Sequence, residues 1–364
     1  MTFDRWNPLN DTPVFPARRY ASIADRIGKV LHTRNDVLLI QAEAVVALEA
    51  VATSLARPGL RTLNIVTSPY GLWFGGWLRR GGAEVIDLAA EPAHPIALAT
   101  VEATLRANPD IAVLSLVHAE SASGILNPLK EIVALARARG IVTVVDAVAS
   151  VGGHALDVDE LGIDIAVIGP QKSLAGPAGL SALSVSPAAW ELISQENGPR
   201  DSILSLLDQK TWLDGDRGAL PGTTAPLEFF ALEAALDRVE AEGLGALVAR
   251  HERAARATRT GLTALGAEPW TQQQKASHLV TTAVVPRAAD PKALLAAAAP
   301  LGMELSSGVG PGAERLVRLN HTGLRARFDI VLGNVAAYGM ALGKLGFPAD
   351  IAAAADAVAS IYAD

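Results

Sequence analysis

Cysteine is absent from all 364 residues, which removes disulfides, thiolate metal sites, iron–sulfur clusters and cysteine nucleophiles together. Histidine is sparse as well. The seven, at positions 32, 94, 118, 154, 251, 278 and 321, include no pair at helical i, i+4 spacing and no HExxH, so a metal-dependent enzyme is not expected. Neither a GxSxG elbow nor a GxxxxGK[ST] phosphate loop occurs, and serine hydrolase and nucleoside-triphosphatase readings lose their footing. Long runs of one charge are missing, and the net charge is only -7; a small molecule suits this chain better than nucleic acid or a membrane surface. No window approaches the roughly 18 apolar residues of a membrane span. The start, "MTFDRWNPLNDTP", has charges and prolines where a signal peptide has its apolar core, so a soluble, cytoplasmic protein is expected.

What is present is apolar and periodic. At 50% hydrophobic content the chain is long enough for one large core and a smaller one. Between about residues 37 and 185, short apolar runs alternate with helical patterns. The runs are "VLLI", "LNIVTS", "AEVIDL", "IAVLSLV", "IVTVVD", "IAVIG" and "LSALSVS"; the helical stretches include "AEAVVALEAVATSLA" and "LKEIVALARARG". Uninterrupted apolar runs suit strands buried on both faces, and β-α alternation predicts an α/β fold with a mostly parallel sheet covered by helices. Ligands of such sheets sit at the carboxyl ends of the strands. That rule singles out Ser68 to Tyr70, His118 to Ser121, Asp146 and Lys172. The division expected is an N-terminal arm (1–20), a large domain (21–254) and a smaller C-terminal α+β domain (255–364).

Lysine is used seldom: seven of the 31 basic residues are lysines, and Lys172 is one of them. Where any cation would serve this chain writes arginine, and a primary amine can do what a guanidinium cannot, lose its proton and attack a carbonyl. Asp146 ends the run "IVTVV", and Lys172 follows the next run. An acid and an amine at neighbouring strand ends suit pyridoxal chemistry, in which the lysine captures the aldehyde and the acid keeps the ring nitrogen protonated. A turn cap and a solvated loop lysine are the competing account.

Four ordered segments, "VHAESASGILNPL", "VVDAVASVGG", "GPQKSLAGPAGL" and "LVRLNHTG", resemble the signatures of class V, fold type I aminotransferases of the alanine–glyoxylate type. The likeness runs from about residue 37 to the end. It implies that Lys172 is the Schiff-base lysine and later the base that moves a proton between substrate and cofactor. It implies that Asp146 pairs with the pyridine nitrogen, that Val148 packs under the ring and that Ser121 lies near the ring 3-oxygen. Tyr70 corresponds to a stacking aromatic and Arg318 to the arginine that holds the substrate carboxylate. Ordinary core packing is the alternative for Tyr70 and Val148, and a surface ion pair for Arg318. A homo-oligomer, at least a dimer, is also implied, since "PGTTAPLEFF" resembles the segment that reaches across subunits.

The chain departs from that pattern where the 5′-phosphate belongs. The family's Gly-Ser/Thr-Gly turn, an anion site at a helix amino terminus, reads "QAEAVV" here, so Glu43 replaces the small hydroxyl residue. Pro170, without an N–H, stands two residues before Lys172. A carboxylate repels a phosphate. Both features, with "PYGLWFGGW", "SILSLLD" and "SSGVG", resemble a subgroup, the pyridoxamine–pyruvate aminotransferases, that takes unphosphorylated pyridoxamine as a substrate. The likeness implies that Glu43 accepts a hydrogen bond from the free 5′-hydroxyl; a glutamate favoured by the helix dipole alone is the other account. Val309 stands where the subgroup has a second carboxylate-binding arginine, and the amino-terminal segment is shortened to "NDTPVFPARRY". The expected reaction is amino transfer from pyridoxamine to a small 2-oxo acid, with no metal. The alternatives are a pyridoxal-phosphate-dependent alanine/serine–glyoxylate type enzyme and a catalytically silent pyridoxal-binding protein.

Overall fold

The computed structural model describes residues 12–194, 199–310 and 312–363. Of the expected N-terminal arm, residues 1–11 lie outside the described residues, and α1 (Arg18–Val30) begins within its remainder.

The seven apolar runs all become strands: β1 (Asp36–Ile40), β2 (Arg61–Val66), β3 (Glu84–Ala89), β4 (Val113–Val117), β5 (Val142–Asp146), β6 (Ile165–Ile168) and β7 (Ser181–Val185). They form one sheet in the order β1-β7-β6-β5-β4-β2-β3. Both neighbours of β7 pair with it antiparallel, and the other pairings are parallel, so six strands point one way and β7 against them. The central strands β4, β6 and β7 are buried at every position, which is why their sequences do not alternate. The edge strand β3 is mostly exposed or half-buried.

Helices cover both faces. They are α2 (Ala44–Leu55), α3 (Pro69–Arg80), α4 (Leu98–Ala107), α5 (Leu129–Arg137), the short α6 (Val158–Leu161), α7 (Pro187–Ile193), α8 (Leu206–Asp214) and α9 (Pro226–Glu242). In α5 the buried residues Leu129, Ile132, Val133 and Ala136 repeat at the i, i+3, i+4, i+7 spacing of one helical face.

Helix α10 (Leu244–Ala264) leads to a second, wholly antiparallel sheet of order β10-β11-β9-β8, made of β8 (Glu268–Pro269), β9 (Val280–Val284), β10 (Leu305–Ser307) and β11 (Leu316–Asn320). It packs with α11 (Pro291–Ala298), α12 (Phe328–Lys344) and α13 (Ile351–Ala363). Within α10, Leu247 belongs to the core of the large sheet, whereas Ala254, Ala257 and Leu262 belong to that of the small one. The change of core falls between Leu247 and Ala254, a few residues before the expected division at 254/255, which we keep as a proposal since α10 runs through it unbroken.

Candidate active site

Because six strands of the large sheet run parallel, their carboxyl ends meet at one edge. Five of the six, β3 being the exception, deliver polar residues to it. After β1, Glu43 caps α2, its Oε2 accepting from the Val45 N–H at 2.8 Å. After β2, Ser68 caps α3 by accepting from the Tyr70 N–H at 3.3 Å, and Pro69 opens the first turn, so Tyr70 faces the same edge. Glu120 and Ser121 follow β4. Asp146 ends β5 and accepts from the Val148 N–H at 3.0 Å. After β6, Lys172 sits in a loop tied by Lys172 N–H to Gly169 O at 3.2 Å and Gly176 N–H to Pro170 O at 2.7 Å. Gly323, at φ +64, packs on this loop so closely that a Cβ there would lie 2.8 Å from Lys172 O.

These ends enclose a cavity of about 240 Å³ lined by Glu43, Tyr70, Ser121, Asp146, Val148 and Lys172. Six of the seven residues singled out from the sequence thus share one hollow. The seventh, Arg318, comes from β11 of the other sheet. Its Nη1 donates to Ser121 O at 2.9 Å and its Nε to Ser306 Oγ at 3.2 Å, and its charge acts on both Tyr70 and Lys172. A larger cleft of about 570 Å³ opens beside Val142 and Ile163, where β5 and β6 begin, and none of these residues lines it.

Burial governs the protonation states. It pushes Asp146 up to about 6, against the pull of the Val148 N–H and the Lys172 charge. It lowers the Lys172 amine, with Arg318 acting in the same direction and Glu43 and Asp146 opposing. A lysine held below its usual range has more of its neutral, nucleophilic form. The Tyr70 hydroxyl is raised by burial first and by Asp146 next, and burial lowers Arg318.

The residues fit the pyridoxal ring: an amine for the aldehyde, an acid for the ring nitrogen, an aromatic side chain and an apolar pad. They do not fit a phosphate at its far end. The Val45 N–H is taken by the Glu43 side chain and the Val46 N–H by the Glu43 carbonyl, Pro170 has no N–H, and a carboxylate stands in the turn. Glu43 is exposed at the cavity mouth, so solvent screens part of that repulsion.

Three residues of the site went unassigned in the sequence. Gln171 donates Nε2 to Glu43 Oε1 at 2.8 Å. Trp73, at 48% exposure, lines the cavity and meets Tyr70 edge-on, centroids 5.5 Å apart. Glu120 is fully buried, and burial pushes it up to about 7 although the Thr67 and Ser68 hydroxyls favour its charged form. The strand-end rule had marked the stretch His118 to Ser121, and adjacency to Lys172 was the signal for Gln171. His118 leads into a buried file of imidazoles: its ring lies 5.5 Å from His154, which stacks on His278 at 4.1 Å.

Comparison with known proteins identifies a family. The model of the family "Aminotransferase class-V" matches residues 17–327. A pyridoxamine–pyruvate transaminase of Mesorhizobium japonicum is 34% identical over 330 residues, 90% of this chain and 84% of that one. An alanine–glyoxylate aminotransferase of Callithrix jacchus is 31% identical, over 84% of this chain and 75% of its own. Among solved structures, pyridoxamine-pyruvate aminotransferase from Mesorhizobium loti superposes with a TM-score of 0.90 at 33% identity, covering 95% of this chain and 89% of that one.

Proposed function

The chain belongs to the class V aminotransferase family, and we propose that it moves an amino group from unphosphorylated pyridoxamine to a small 2-oxo acid such as pyruvate, giving pyridoxal and an L-amino acid. One observation carries the choice of the unphosphorylated ring. Glu43 caps α2 with its own carboxylate at the cavity mouth, so the helix amino terminus already holds an anion.

When bound, the pyridine ring supplies an electron sink for the carbon that loses its proton. The chain's own residues do the rest. Lys172 Nζ, made less basic by burial, is the amine for the aldehyde and, once free, the base that carries the proton between the substrate carbon and the ring's 4′ carbon. Asp146 holds the proton on the ring nitrogen. Tyr70 and Val148 fix the ring plane, and the Ser121 hydroxyl serves the 3-oxygen. Arg318, braced by Ser121 O and Ser306, holds the carboxylate of the 2-oxo acid. Glu43 accepts from the 5′-hydroxyl. At least a dimer is part of the proposal; sedimentation of the purified chain checks it.

The test mixes purified protein with pyridoxamine and a panel of 2-oxo acids and follows pyridoxal release. Turnover with pyruvate or a close relative, reduced to background in Lys172→Ala, is the expected result. A phosphate-bearing chromophore that survives dialysis, with turnover of alanine and glyoxylate, would establish the phosphate-dependent reading instead. Tight pyridoxal binding without turnover of any oxo acid would leave a silent binding protein.

A further inference from the structure

Gln171 lies between Pro170 and Lys172, and its amide is turned back over Gly169. A Cβ on Gly169 would stand 2.6 Å from Gln171 Oε1 and 3.0 Å from its Nε2, so glycine alone leaves room for the amide as placed. From there Nε2 reaches Glu43 Oε1 at 2.8 Å while the Val45 N–H holds Oε2 at 2.8 Å. Each carboxylate oxygen therefore has one protein donor, which fixes the carboxylate while leaving lone pairs free. Gln171 Oε1 is buried and accepts no hydrogen bond.

The consequence is a cavity mouth rich in acceptors, most of whose nearby donors are already engaged. The N–H groups of Val45, Val46 and Lys172 and one of the two amide hydrogens of Gln171 serve protein acceptors, and Pro170 has none to offer. Such a surface accepts readily from a hydroxyl and gives a phosphate few donors.

We propose that Gln171 is the positioning residue that sets this selectivity, by clamping the Glu43 carboxylate against α2; this rests on the functional reading above. Without the clamp the carboxylate is held by the Val45 N–H alone. When it swings outward it frees that N–H, and the helix amino terminus becomes an anion site again.

The test compares wild type with Gln171→Met, which keeps the volume and removes both polar atoms. Full-length protein is titrated with pyridoxal, pyridoxal phosphate and 5-deoxypyridoxal, reading absorbance and tryptophan fluorescence. Wild type should prefer pyridoxal over both analogues. In Gln171→Met the preference over each should fall by about tenfold, the order of one hydrogen bond to a charged group, and KM for pyridoxamine should rise more than kcat falls. In a Glu43→Ser background the same substitution should leave the preference unchanged. A preference intact in Gln171→Met, or an equal loss for all three ligands, overturns the role of Gln171 alone. Wild type binding pyridoxal phosphate at least as tightly as pyridoxal overturns the functional reading, and the clamp with it.

Discussion

Asp146 shows how one carboxyl can tie chemistry to pH. Burial holds it near 6 in the free site, and only its charged form stabilises a proton on a ring nitrogen. We expect kcat/KM for pyridoxamine to fall as pH drops below about 6, approaching tenfold per unit. In Asp146→Asn that limb should vanish and turnover should drop at least about a hundredfold. The linkage to stability has the opposite sense. A carboxyl raised by folding contributes stability below its unfolded pKa, and that contribution is lost as pH rises through the folded value. An empty site therefore costs more at pH 8 than at pH 5, and pyridoxal should raise Tm more at the higher pH. Glu120, pushed up to about 7, obeys the same rule. Glu120→Gln mimics its protonated form, so its Tm should exceed that of wild type at pH 8 and converge with it below pH 5.

At the scale of the element, α2 separates two roles of Glu43 that coincide in one side chain. As an N-cap it satisfies the Val45 N–H; as a carboxylate it occupies the anion position of the helix. Glu43→Ser retains a good capping residue and removes the charge, so Tm should change little while pyridoxal phosphate binds at least about tenfold more tightly. Glu43→Ala loses the cap too and should cost about 1 kcal/mol of stability. Calorimetry alongside ligand titration distinguishes the two. If Glu43→Ser leaves phosphate binding unchanged, the carboxylate is a cap and nothing more.

Across the whole molecule, the site is joined from two sheets. Arg318 on β11 reaches Ser121 after β4, 197 residues away, so the proposed oxo-acid contact depends on how the small sheet docks on the large one. Arg318→Lys keeps the charge without the planar fork and should raise KM for the oxo acid at least about tenfold, with less effect on pyridoxamine. The same junction buries imidazoles. Burial pushes His118 and His251 to about 4 and holds His154 and His321 well below the usual histidine range; His278 is lowered less. A histidine depressed by folding contributes stability above its unfolded pKa near 6.5 and loses it as pH falls toward the folded value. Asp146 and Glu120 act in the opposite direction over part of that window, but there are two of them against five imidazoles. Tm should change little above about pH 7.5, where the loss from Glu120 is complete, and fall steeply toward pH 4, which a pH series of thermal melts checks.

The sequence by itself determined the architecture and, through its resemblance to a family, the class of reaction. Apolar runs without alternation specify strands buried on both faces in the middle of the sheet, β-α alternation makes most of them parallel, and parallel strands put their carboxyl ends on one edge, where Asp146 and Lys172 could converge. These are local or near-local facts, since burial of a face is written in periodicity. Only the tertiary structure decided which loops touch. The bond from Gln171 to Glu43 spans 128 residues, and the imidazoles at 118, 154 and 278 come together from three separate segments. No period encodes such contacts, because they depend on the order in which crossovers lay strands side by side and on how closely one loop packs over another. So Lys172 and Asp146 were legible from strand ends, whereas the clamp on Glu43 had to wait for the fold that brings β1 and β6 to the two flanks of β7.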